Sequence, residues 1–454
     1  MVQMSTKDIP IFGSIIGFLD GEDIDYGIVA FLIGLFIIFF VFNKVGLPQS
    51  QIVSILFALA PIWLPIMSFL AFFKIYMDMV GKKFGINSGR TVMEIVLPPE
   101  VFKSPEAMEY VFTQIYNAAS PDNLMETYLD GKRPLPYTFE LVSRGGDVHF
   151  YITTPNKFVP SLTDNMYAQY PGVEIKKLDL DYTAEIPKNL KGLSFMCFHI
   201  GKKKGSELPI KTYIDFGLDK LPKEEEKLDP MTPMLEVLAN IQPHQQLWVQ
   251  FICIAHREKS FKNGQLRSKG TWEKDVSAKI DEIMMRDPKT KTGMADLDGM
   301  PRITTGERDT IEAMERNVGK AAFNFACRVV YISNKNERDY DGGLFARISR
   351  MVSQTELKDR NGLGIRWRTD FNYNFISDPF FKKRPALKKA ELKEYKTRKL
   401  YTKARSMSYK IMTAEEMATI FHLPGTVAIT PTLNRVTSTR SDAPSNLPIG
   451  NLPI

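Results

Sequence analysis

The sequence predicts an α+β protein: a two-helix transmembrane hairpin followed by two ferredoxin-like (split βαβ) units, with a helical insertion and an extended C-terminal tail. Three observations carry that expectation. Two long uncharged runs stand near the N-terminus, the order β-α-β-β-α-β after residue 90 is followed by a second, looser copy with one extra strand, and a polar stretch interrupts that copy.

The first run, Tyr26 to Phe42, holds 17 uncharged residues and the second, Ile52 to Phe73, holds 22. Roughly 20 apolar residues cross a hydrocarbon core, so the pair predicts a hairpin over 26–75 behind an N-terminal segment 1–25. Pro61 and Pro65 predict a kink in the second helix, since each removes a backbone donor. Asp20, Glu22, Asp23 and Asp25 occupy the place of a basic leader, so a signal peptide fits worse than a membrane span. Only Lys44 sits between the runs, whereas Lys74, Lys82, Lys83 and Arg90 follow the second. The positive-inside rule then predicts a two-pass inner-membrane protein with its body in the cytoplasm. The 3 cysteines, Cys197, Cys253 and Cys327, lie apart in apolar surroundings and read as reduced core thiols.

The first unit, 90–190, opens with a strand at Thr91–Leu97 and a helix from Pro105 to Ala119 whose start Ser104 caps. Strands Tyr137–Ser143 and Val148–Thr154 flank the turn Arg144-Gly-Gly-Asp147. A helix over Lys157–Tyr170 and a strand over Val173–Lys177 complete it. In the second unit, 191–380, strands are expected at Leu193–Ile200, Ile210–Phe216, Leu247–Ala255, Phe323–Ile332 and Gly364–Tyr373. Helices are expected at Thr232–Ile241 and Leu344–Gln354. The polar insertion, 257–320, contains amphipathic stretches Thr271–Arg286 and Gly306–Asn317 around a mobile Asp287–Arg302. Lys223–Lys227 reads as a solvated linker, 381–425 as a basic helical segment and 426–454 as extended chain.

Chemistry is sparse. None of the four Gly-Lys pairs belongs to a phosphate-cradling loop, because none precedes Ser or Thr or follows a Gly at the required distance. No two of the 5 histidines are four residues apart, and no cysteine has a second thiol near it in sequence, so no metal site is expected. His149 and His199 lie in strand patterns and read as structural. Asp179 and Asp181 alternate across an extended chain, which argues against a paired acid and base. No enzyme activity and no cofactor are expected.

One segment is electrostatically distinct. Lys382 to Lys410 carries twelve Lys and Arg against Glu391 and Glu394, a net +10 where the whole chain is +7. The rest of the chain is therefore net −3. Tyr395, Tyr401 and Tyr409 interleave with the cations, as in a groove that tracks a nucleic-acid backbone and stacks its bases. Attraction to anionic lipid and a plain solvated surface are the two other readings. Candidate contacts are Lys382, Lys383, Arg384, Lys388, Lys389, Lys393, Tyr395, Arg398, Lys399 and Tyr401.

Four stretches, Val92–Pro99, Val148–Pro155, Met166–Ile175 and Ile420–Leu447, together carry a resemblance. In shared order they resemble the membrane-anchored N-terminal region of type IV secretion and conjugative-transfer ATPases of reduced-genome bacteria. In that family the Ala443–Pro448 stretch precedes a P-loop ATPase half, whereas this sequence ends at Ile454. The resemblance implies a non-catalytic, membrane-anchored component of a DNA-transfer machine. Its implied partners are the membrane, a separate P-loop ATPase, DNA and further copies of itself. A membrane-anchored protein or lipid interaction scaffold unrelated to DNA transfer is the alternative.

Overall fold

The computed structural model describes residues 49–97, 103–116, 120–188, 190–219, 228–257, 272–284, 303–334, 343–369, 383–400 and 410–424. Their backbone builds a 9-stranded sheet in which every pairing is antiparallel. Strands β1 (Arg90–Val96), β2 (Tyr137–Arg144), β3 (Asp147–Pro155) and β4 (Glu174–Lys177) take the order β4-β1-β3-β2. Strands β5 (Ser194–Lys202), β6 (Gln245–Ala255), β7 (Ala322–Ser333) and β8 (Leu363–Arg368) take the order β6-β7-β5-β8. Each half has the strand order of a split βαβ unit. The β2 and β6 edges pair from Tyr137↔Cys253 to Arg144↔Gln246, so the halves form one continuous sheet. Neither half retains that edge as an open template for aggregation.

Alternation decides which side chains face which layer. Along β6, Leu247, Val249, Phe251 and Cys253 enter the main core, while Trp248 enters a second cluster on the opposite face. The main core is covered by helices that follow the strands: α2 (Glu106–Ile115), α4 (Val159–Gln169), α5 (Thr232–Ala239) and α8 (Leu344–Ser353). Their buried residues recur at helical spacing, as with Met108, Val111, Phe112 and Ile115 in α2. A short helix, α3 (Leu124–Tyr128), lies between α2 and β2. Helices α6 (Trp272–Ile283) and α7 (Thr305–Val318) of the insertion pack together through Trp272, Val276 and Met314. Opposite the main core, helix α9 (Lys383–Thr397) lies on the second face.

The chain then adds β9 (Lys410–Thr413) beside β7 and a buried helix, α10 (Ala414–Ile420). These two elements lie within the basic segment expected at 381–425. Glu415 of α10 meets Arg316 at 3.0 Å and Lys320 at 2.7 Å, and Glu416 meets Lys202 at 2.8 Å. The expected strand at Ile210–Phe216 is instead a run of turns. Its backbone amides find side chains rather than a ladder: Ile210 donates to Glu416, Tyr213 to Thr419 and Thr212 to Asp215.

The transmembrane hairpin is corrected. Among the described residues, no helix is long and apolar enough to cross a membrane. The first uncharged run, 26–42, lies outside the described residues. The second belongs to a 40-residue helix, α1 (Gln49–Ser88), that continues through Lys74, Asp78, Lys82 and Lys83. The distal part of α1 belongs to the protein body: Phe73 packs 5.9 Å from the Tyr128 ring, and Arg133 donates to the Met77 carbonyl at 3.0 Å. The two-pass topology and the inner-membrane localisation fall with the hairpin. The segments 1–25, Lys223–Lys227, Asp287–Arg302 and 426–454 lie outside the described residues.

Gly131 seats α1 on the body. Its φ of +68° is left-handed, and an added Cβ would lie 2.7 Å from the Val80 carbonyl oxygen. Gly131→Ala should cost about 1–3 kcal/mol in denaturant unfolding. An unchanged midpoint would show that α1 is not held there.

Candidate functional site: a basic helix seated on a buried polar row

Strands β2, β6, β7 and β5 read as apolar alternations, each broken once or more on the same face by a polar residue. Antiparallel register aligns those interruptions. Lys176, Glu94, Tyr151, Glu140, Gln250, Arg328, His199 and Trp367 stand opposite one another in turn, across eight strands. Glu140, Gln250, Arg328 and His199 in the middle of this row are completely buried. Burial of charge without a partner is prohibitive, so the row requires a polar lid.

Helix α9 is that lid. Glu391, Leu392 and Tyr395 form its buried inner face, followed by Arg398, at the i, i+1, i+4, i+7 spacing of one helix side. Arg328 donates to Glu394 at 3.1 Å and lies 3.7 Å from Glu391. His199 Nε2 is 2.9 Å from the same Glu391 carboxylate. The Tyr395 ring packs 5.4 Å from Trp248, and its hydroxyl meets the Tyr182 hydroxyl at 2.9 Å. Tyr182 in turn donates to Glu140 at 2.9 Å and stacks on Tyr151 at 4.6 Å. Burial, followed by the Glu140 charge, raises both the Tyr182 and Tyr395 hydroxyls well above the usual phenol range, so both stay neutral.

The end of α9 is the most constrained point. Arg398 N–H bonds Tyr395 O at 3.0 Å and Lys399 N–H bonds Glu394 O at 3.2 Å, the paired closure of a Schellman motif. Glycine normally fills the left-handed position of that motif, yet here it is Arg398, with φ 51°. The side chain explains the choice. Its guanidinium meets Glu140 at 3.0 Å and Asp181 at 2.6 Å. Burial alone would lower the Arg398 pKa, but Glu140 and Asp181 hold it well above the ordinary value. The last carbonyls of the helix also meet donors: Gln250 reaches Tyr395 O at 3.1 Å, Arg90 reaches Thr397 O at 2.6 Å, and Arg328 donates to Lys399 O. Cations at this negative helix end suit the macrodipole.

The candidate contacts therefore divide. Tyr395 and Arg398 are completely buried and committed to the row, which removes them from any groove. Lys389, Lys393 and Lys399 are exposed on the outer side, and Arg384 and Lys388 are half-buried. Lys382 and Tyr401 lie outside the described residues, as does the Lys383 side chain. Lys396 donates to Ile186 O at 2.6 Å, with Lys188 close enough to depress its pKa after burial has done so.

Residues without a predicted role converge beneath α9. Cys197 and His199, two apart on β5, share a face, and Glu391 descends from the helix between them. Their donor atoms all lie within 4.8 Å of one another. The spacing Cys-x-His on a strand was the available signal, since i and i+2 point the same way. Other charged groups that meet among the described residues include Asp181 with Arg398, His149 with Glu94, and His422 with Asp229 at 3.2 Å.

The chain matches no family model and no curated protein. These comparisons give no support to type IV secretion or conjugation.

Two measurements probe the site. Arg398→Ala leaves Glu140 buried without its cation and should cost about 3–5 kcal/mol. Arg398→Met with Glu140→Gln should cost clearly less than the two single changes added together; strict additivity would refute the pairing. At the exposed end of the row, the hydrogen bond that His149 Nδ1 donates to Glu94, 2.7 Å away, raises the His149 pKa against the effect of burial. A raised histidine pKa adds stability fully present below about pH 6.5 and lost as pH rises through the folded-state value. His149→Gln should flatten the stability profile across that interval and leave it parallel to the parent's above it.

Proposed function

We propose that this protein is a non-catalytic docking component that holds a polyanion, foremost a nucleic-acid backbone, on the outer side of α9. One observation carries the reading. The inner side of the helix is immobilised by Glu391, Tyr395 and Arg398, while Lys389, Lys393 and Lys399 face solvent on the other. Lys389 and Lys393 are one helical turn apart and project together. A rigid row of ammonium groups neutralises phosphates without ordering a flexible tail at the moment of binding. Lys188 beside Lys396 extends the cationic surface beyond the helix.

The burial of Tyr395 shifts the mode of contact. Base stacking on that ring is unavailable, so binding rests on phosphates and is indifferent to sequence. The absence of a phosphate-cradling Gly-Lys loop in the sequence favours a component without nucleotide turnover of its own. In the DNA-transfer setting that the sequence resemblance implies, a separate P-loop ATPase would supply the work.

The test uses the full chain and fluorescent single-stranded and duplex DNA across stepped salt. Replacing Lys389, Lys393 and Lys399 with Gln should weaken binding to all sequences. Each lost phosphate contact should reduce the salt slope by about 0.7–0.9, so by roughly 2–3 in total. Unchanged affinity and slope would sink the proposal, as would binding to anionic vesicles in preference to DNA.

A further inference from the structure

The groups buried beneath α9 carry an inference that does not depend on what binds its outer side. We propose that Cys197, His199 and Glu391 form a site for a divalent transition-metal ion of the zinc class, which staples α9 to β5. The donor set is thiolate, imidazole and carboxylate, the three ligand types zinc takes from proteins. Each residue offers one donor atom, and all three atoms lie within 4.8 Å of one another in completely buried surroundings. His199 Nε2 is 2.9 Å and Cys197 Sγ 3.7 Å from Glu391 Oε2. Two ligands on one tetrahedral zinc, at bond lengths of about 2.0–2.3 Å, lie roughly 3.3–3.6 Å apart. These two spacings bracket that range, and the third, between the Cys197 sulfur and the His199 ring, lies within 4.8 Å.

Charge points the same way. Arg328 faces two carboxylates, Glu391 at 3.7 Å and Glu394 at 3.1 Å. Binding a dication breaks the Cys197 S–H bond, releases its proton to solvent and forms a metal–sulfur bond without change of oxidation state. The dication and the new thiolate together add one positive charge beside the Glu391 and Glu394 carboxylates. Arg328 remains with Glu394 and the Lys399 carbonyl, which it already contacts. The second observation is positional. His199 is held against the Trp367 ring, 4.7 Å between centroids, which fixes the plane of the imidazole. The site is sealed by α9, so the ion enters as the helix docks, and metal binding becomes part of folding free energy.

A second buried cysteine, Cys253, provides the control. Cys253 lies on the main-core side of β6, where burial pushes its thiol pKa up, and its Sγ donates to the Tyr137 carbonyl at 3.6 Å. The experiment produces the full chain in zinc- or cobalt-supplemented medium, then measures metal content and the thiolate-to-cobalt charge-transfer absorption. The expected result is one ion per chain, with the absorption present in the parent and in Cys253→Ser but absent in Cys197→Ser. Glu391→Gln, which preserves side-chain size, should reduce cobalt affinity by at least about 10-fold. A parent protein that takes up neither ion overturns the proposal. So does an absorption that survives Cys197→Ser or disappears with Cys253→Ser. If Cys197→Ser fails to fold, the parent spectrum and the Glu391→Gln affinity decide the matter. Nucleic-acid affinity is read separately on the lysine side, so either result stands without the other.

Discussion

The buried guanidinium of Arg398 is the constraint on which the second face of the sheet depends. Removing an ion of that size from water costs several kcal/mol even after relaxation, and only close carboxylates offset it. Glu140 from β2 and Asp181 from the segment before β5 supply them. Arg398 also occupies a left-handed backbone position that disfavours side chains. A glycine there would relax the backbone and abandon Glu140 in the core. The chain accepts local strain because the side chain must arrive at that point and from that direction. Displacing α9 by one turn would separate Arg398 from Glu140, Tyr395 from Tyr182 and Glu391 from His199 together.

That register turns a basic segment into a surface with two functions. Inward, the helix completes a polar row that no apolar lid could cover. Outward, it holds lysines whose mutual repulsion would disfavour an isolated helix of the same composition. The sheet supplies donors at the helix C-terminal end through Gln250, Arg90 and Arg328, where the macrodipole is negative. Like charge is thus concentrated outside because opposite charge has been paired beneath it.

The main core follows a different logic. Helices α2, α4, α5 and α8 bury aliphatic and aromatic stripes against it, and the hydrophobic effect needs no directional partner. Helix α10 is the exception. It is inserted with Glu415 and Glu416 completely buried, and Arg316, Lys320 and Lys202 converge on them from α7, the turn that follows it and β5. Burial alone would raise the Glu415 pKa, but Arg316 and Lys320 bring it below the ordinary carboxylate value. The same helix supplies the acceptors for the Ile210 and Tyr213 amides, which helps to keep an apolar-looking stretch there out of a strand.

Periodicity along the chain determined the alternating strands and the amphipathic helices, because each depends on residues within a few positions of one another. Alternation placed Phe139 and Leu141 on one side of β2 and Glu140 on the other, and it put Cys197 and His199 on a common face. The order of elements was legible for the same reason. Composition along the chain also identified 382–410 as exceptionally basic, and the exposed Lys389, Lys393 and Lys399 express that charge. Composition could not tell Arg398 from Lys399, since solvated and buried cations look alike in sequence. Only tertiary structure decided that Arg398 would meet Glu140, 258 positions away, and that Tyr395 would close a core instead of presenting a ring. It likewise joined the uncharged run 52–73 to a longer helix anchored on the body through Phe73 and Met77. Local pattern fixes which face a side chain takes; the partner across that face is set by the register of strands distant in sequence, where electrostatic pairing has to be completed.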